Sequence, residues 1–111
     1  MIKTIKIEDK NIKFSTSFAW MLKYKSQFHT DPATIIIPAT QASTKDSSGL
    51  ASIEAIGFIN IARIAWSCAA VTDKEILPFE EWIDSFEDFP VVTVATELLP
   101  SVFTSFSSKK K

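Results

Sequence analysis

Residues 50–71 read LASIEAIGFINIARIAWSCAAV, and the reading of this run decides the fold. At this length it could cross a bilayer, which needs roughly 20 apolar residues. Glu54, Asn60 and Arg63 lie within it, however, and charge at that depth is costly in lipid. The run is therefore read as a buried central helix over 49–71. Ser52, Asn60, Arg63 and Ser67 fall on one narrow stripe, with Glu54 roughly opposite. Ala51, Ala55, Ala62 and Ala69 line another side, where a neighbouring backbone can approach closely. A helix that is apolar nearly all round must be surrounded. A chain of 111 residues encloses one such helix only just, so part of its surface is expected to await a partner.

The enclosing elements are sought on either side. Upstream, Ile5 and Ile7 alternate with Lys6 and Glu8, and Ile12 and Phe14 alternate with Lys13 and Ser15. That two-residue period predicts half-buried strands, and the polar Glu8-Asp9-Lys10-Asn11 between them predicts a hairpin over 1–16. A first helix is expected over 17–28, capped by Ser17. Phe18, Met21, Leu22, Lys25 and Phe28 share one face, and Trp20 and Tyr24 form a second aromatic edge. Pro32 predicts a stop, because the residue before proline avoids the helical region. Residues 30–48, with Pro32, Pro38 and many Thr, Ser and Ala, are read as a long linker, mobile over Thr40–Ser48. Ile35-Ile36-Ile37 within it is read as a short strand or an anchor.

Downstream, Thr72-Asp73-Lys74-Glu75 matches a capping box, and Pro78 suits a first helical position. Phe79, Trp82, Ile83 and Phe86 stand at i, i+3, i+4 and i+7, with Glu80, Glu81, Asp84, Glu87 and Asp88 around them. Val91, Ala95, Leu98, Leu99, Val102, Phe103 and Phe106 predict a last helix over 91–107, kinked or split at Pro100. The expected fold is thus mainly α: a short N-terminal β-hairpin followed by a bundle of about four helices, in one domain over 1–107. A disordered basic tail is expected over 108–111.

Composition narrows function by exclusion. A net charge of −1 disfavours a free-standing nucleic-acid binder, whose affinity comes largely from neutralising phosphates. Cys68, the one cysteine, lies in the most apolar stretch and reads as a small buried hydrophobe. A chain without disulfides suits a reducing compartment. His29, the one histidine, is placed at a helix end beside Thr30 and Asp31, a position that helps a helix C-terminus. No cluster of metal ligands is visible, and the carboxylates of 80–88 read as a solvated helix face. Two glycines, Gly49 and Gly57, cannot build a phosphate cradle. No enzyme, cofactor, metal, nucleic acid or membrane is expected.

The segment Asp73-Lys74-Glu75-Ile76-Leu77-Pro78-Phe79-Glu80-Glu81-Trp82-Ile83-Asp84-Ser85-Phe86-Glu87 resembles a recurring stretch of small tail assembly chaperones of long-tailed phages. Its context resembles them too: a hairpin, the Phe18–Phe28 helix, and a very apolar helix containing Ala62-Arg63-Ile64-Ala65-Trp66. The longer Ser/Thr/Pro segment at 30–48 departs from that pattern. The resemblance implies a non-enzymatic protein of the host cytoplasm, absent from the mature virion. It would coat the long, apolar, helical tape measure protein until tail tube protein displaces it, which makes the tail tube protein a second expected partner. The resemblance also implies a longer, frameshifted form. Lys109-Lys110-Lys111 is read as the trace of a slip site or, equally, as a solvated basic tail.

A self-assembling structural connector and a small DNA-binding regulator are the alternatives. Partner binding is expected at Phe58, Trp66, Phe79, Trp82 and Phe86, although each taken alone suits a core. Homo-oligomers are expected from polarised charge. Lys3, Lys6, Lys10, Lys13, Lys23 and Lys25 stand against Glu8 and Asp9 in residues 1–30. Eight acids stand against Lys74 alone in residues 73–97.

Overall fold

The computed structural model describes residues 2–43 and 50–107. Strands β1 (Ile2–Ile7) and β2 (Lys10–Ser15) pair antiparallel, with Ile5 opposite Ile12 and Ile7 opposite Lys10. The link is tighter than the four polar residues suggested. Only Glu8 and Asp9 turn the chain, both at positive φ, 50° and 70°, the backbone that matches a two-residue hairpin to the twist of its strands. A lone two-stranded hairpin is marginal in water. Here Ile5, Ile7 and Phe14 are buried against the helices, and the Thr72 hydroxyl donates to the Lys13 carbonyl at 2.7 Å.

Six helices follow among the described residues: α1 (Ala19–Phe28), α2 (Ala33–Ser43), α3 (Leu50–Ile56), α4 (Phe58–Thr72), α5 (Phe79–Asp84) and α6 (Val91–Ser107). Mainly helical architecture behind an N-terminal hairpin is as the sequence predicts. Ser17 does not cap α1: no side chain does, and the Ser17 carbonyl accepts the Trp20 N–H. The buried face of α1 is Trp20 and Tyr24, the edge read as secondary. Two apolar stripes overlap on this helix. The pair that faces α4 is the one buried, and each of its rings removes roughly 150–250 Å² from water. Phe18 and Leu22 are left outside. His29 ends the helix in the left-handed region, donating its N–H to the Lys25 carbonyl.

The expected linker at 30–48 is the largest correction. Residues 33–43 are helical, with Ile36 and Ala39 buried and Pro38 inside. Asp31 accepts the Ala33 N–H at 2.9 Å, and Pro32 stands at the first turn, where a missing N–H costs nothing. Pro32 therefore marks the beginning of α2 as much as the end of α1. The mobile segment expected at Thr40–Ser48 is helical as far as Ser43, and the rest of it lies outside the described residues, as does the basic tail at 108–111 with its three lysines.

The central helix is two. Gly57, at φ 87°, separates α3 from α4. Its N–H still donates to Ile53 and its carbonyl still accepts from Ile61. Behind it α4 is enclosed as expected, with Ile61, Ile64, Ala65, Trp66, Cys68, Ala69 and Ala70 buried. The polar stripe is used internally: Asn60 accepts from the Tyr24 hydroxyl and donates to the Ile56 carbonyl, and Ser67 donates to the Arg63 carbonyl. The Arg63 guanidinium lies over the Phe28 ring, 5.0 Å from its centroid.

The capping box is not formed. Thr72 closes α4 and α5 starts only at Phe79, with Pro78 just ahead of it. The intervening loop is held by the Trp66 indole N–H donating to the Leu77 carbonyl at 2.8 Å, and by Asp73 accepting the Glu75 N–H. Pro100 neither stops nor splits α6, which runs as one element and buries Val94, Ala95, Leu98, Leu99 and Val102.

Candidate functional site

Helix α5 has six residues and cannot stand alone, so what fixes it fixes the surface around it. Trp82 points inward, and its ring packs on Phe86 and Phe89 with centroids 5.1 and 5.5 Å away. Lys10 of the hairpin sits 5.5 Å from the Phe86 ring. The Glu8 carboxylate accepts the backbone N–H groups of Asp88 and Glu87 at 2.8 and 3.1 Å. Those two donors hold its carboxyl below the ordinary value. The strained hairpin turn thus clamps the chain just beyond α5.

The opposite side of α5 faces a groove of roughly 440 Å³. Its walls are Phe58, Ile59 and Ala62 from the start of α4, Phe79 and Ile83 from α5, and Phe89 and Val91 ahead of and at the start of α6. Glu80 and Asp84, one helical turn apart, line it as well, and both are exposed. Phe58 is 55% and Ile59 65% exposed. These are large apolar side chains in water at the mouth of a concave, mostly apolar surface with two acids on its bank. The break at Gly57 brings them here, since it starts α4 afresh and puts its first turn at the surface.

Of the five aromatics singled out from sequence, Phe58 and Phe79 meet in this groove. Trp82 and Phe86 are buried behind it and support it. Trp66 is in the core, with its N–H spent on Leu77. Ile59, Ile83, Phe89 and Val91 were not singled out. Ile83 and Val91 carried a sequence signal, as members of the α5 and α6 stripes. Ile59 sits in a helix apolar on every side, where no pattern marks an outward residue.

Two other cavities have different character. One of about 490 Å³ lies between β2, the end of α4 and the loop after it, with Lys10, Lys13, Asp73 and Glu75 mixed among apolar groups. One of about 380 Å³ joins Arg63 and Phe28 to Phe79, Glu80 and Glu81. In the first, the hydroxyls of Thr72 and Ser85 donate to backbone carbonyls, of Lys13 and Trp82 respectively. Cys68 is fully buried, and burial pushes its thiol well up. Tyr24 is raised by burial, against the opposing pull of Arg63. Among the described residues no group of three His, Cys, Asp or Glu could hold a metal, and no helix is long and apolar enough to cross a membrane. No protein-family model, no curated protein and no solved structure matches this chain.

Proposed function

We propose that this chain is a tail assembly chaperone of long-tailed phages, which shields the tape measure protein in the host cytoplasm before the tail tube polymerises. One observation carries the reading: the apolar groove between α4, α5 and α6, open to water at Phe58 and Ile59. Such a groove accepts the apolar stripe of an amphipathic helix, and a long helical partner offers that stripe many times over. Covering one large apolar side chain is worth about 1.5–3 kcal/mol. Each site is therefore weak and reversible, and a long partner offers many such sites. Tail tube protein can displace such a coat stepwise, and the chaperone stays out of the finished virion. The resemblance of residues 73–87 supports the same reading, because it covers α5 and its flanks.

Co-expression with the tape measure protein tests it. The expected result is a soluble complex that is lost when Ile59 is replaced by Glu, with the melting temperature held. A tape measure protein that stays insoluble beside the wild-type chain removes the reading. The structural-connector alternative draws support from a separate observation, the second exposed apolar patch on α1.

A further inference from the structure

We infer that in the protein alone the groove is occupied by the outward face of α1 from a second copy, so that the chain associates head to tail and a client binds by displacing a neighbour. The inference rests on the groove being the client site. Phe18, Ile59 and Leu22, at 70%, 65% and 62% exposure, are the three most exposed large hydrophobic residues described. Ile59 belongs to the groove. Phe18, at the N-cap of α1, and Leu22 stand one turn apart, with exposed Lys25 next along the same stripe at i+7. A ridge of two apolar side chains ending in a cation faces outward from one part of the molecule. An apolar groove banked by Glu80 and Asp84 opens on another. Apolar character and charge both match, in the helix-in-groove mode.

The ridge cannot reach the groove of its own molecule, because Trp20 and Tyr24 fix the opposite face of α1 in the core. Ridge and groove are different surfaces, so the contact is heterologous and leaves one of each free at the ends. Such contacts make rings or open chains. A ridge of this size covers far less than the roughly 1,200 Å² at the lower end of stable interfaces. Association is therefore weak, which is what a surface that must yield to a client requires.

Sedimentation velocity on the full chain tests this. Leu22→Glu removes the ridge and leaves the groove, while Ile59→Glu does the reverse. Both positions face water, so circular dichroism should show unchanged melting, and Phe18→Ser with Phe58→Ser serves as a second pair. Wild-type protein should sediment faster as its concentration rises, and each variant alone should stay monomeric. Mixed in equal amounts, the two variants should form a one-to-one pair that grows no further, since one retains the groove and the other the ridge. A wild type that is monomeric throughout, a single variant that still assembles, or a mixture that stays monomeric overturns the inference. A labelled amphipathic helical peptide with lysine flanks separates this from the chaperone reading. Its binding to Leu22→Glu but not to Ile59→Glu supports both. Loss of peptide binding with one-to-one pairing intact removes only the client.

Discussion

Replacing Phe58 and Trp82 by alanine in parallel separates binding from folding at the candidate site. Trp82 is 7% exposed and packs on two aromatic rings, so its removal leaves a cavity and should cost about 3–5 kcal/mol. That is a large share of the roughly 5–15 kcal/mol that holds a domain folded. At about 4 °C or more per kcal/mol for a chain of this size, the melting temperature should fall by at least about 12 °C. Phe58 keeps more than half of its surface in water. Full burial of such a side chain is worth about 1.5–3 kcal/mol, so its folding share is about 1 kcal/mol and its removal should lower melting by only about 4–5 °C. The remainder is realised only when something covers it. Losing about 1.4 kcal/mol there weakens binding tenfold. Thermal melting by circular dichroism gives the first quantity, and fluorescence anisotropy with a labelled tape measure fragment gives the second. If Phe58→Ala melts as low as Trp82→Ala, or binds as tightly as wild type while folded, the groove is not the binding surface.

Three further substitutions test how the groove is held. Glu8→Gln should lower the melting temperature at neutral pH. Because two backbone donors depress the Glu8 pKa in the folded chain, its contribution is complete above the unfolded value and is lost as pH falls through the folded one, so the gap to wild type should close in acid. Asp9→Gly should raise stability by roughly 1 kcal/mol in denaturant titration, since φ 70° costs a side-chain-bearing residue about 1–2 kcal/mol and glycine almost nothing. Gly57→Ala should cost about 1–3 kcal/mol, because φ 87° with ψ 148° is a backbone that glycine almost alone adopts. A Cβ there meets nothing within 4 Å, so a larger loss in the same titration would show that the α3–α4 break itself has changed.

The hairpin and the enclosed helix were legible because each has a period that only one structure satisfies. Ile5, Ile7 and Phe14 alternate, and residues 61–70 leave no polar face wide enough for water. Legibility failed wherever one residue served two elements. Pro32 reads as an ending, yet with Asp31 it begins α2. Thr72 reads as a cap for the next helix, yet its hydroxyl goes back to Ala69 and across to Lys13. Gly57 sits in an apolar run whose pattern continues through it, so nothing local marks the left-handed turn. On α1 two apolar stripes compete. The choice between them is made by the partner surface of α4, which the sequence of α1 does not contain.

The same reason explains why the candidate site was half legible. The aromatic surplus of this chain is visible in composition, but surplus has no address. Phe58, Phe79, Trp82 and Phe86 look alike in sequence, and the fold sorts them by distance from two anchors. One is Glu8 reaching the amides of residues 87 and 88; the other is Trp66 reaching Leu77. Between them α5 is pinned at both ends with Trp82 inward, and its short length leaves Phe79 and Ile83 no neighbour to cover them completely. The first turn of α4 is freed beside them by Gly57. The groove needs no residue devoted to making it: it is the gap left where a pinned helix of six residues fails to close over the start of a longer one. Its acidic bank has the same origin. A helix buried along the stripe of Trp82 must show water the residues between, and here those include Glu80 and Asp84 beside the opening. Charge and apolar surface are thus placed together by the helical period alone, and a partner that fits must carry apolar and basic groups at matching spacing.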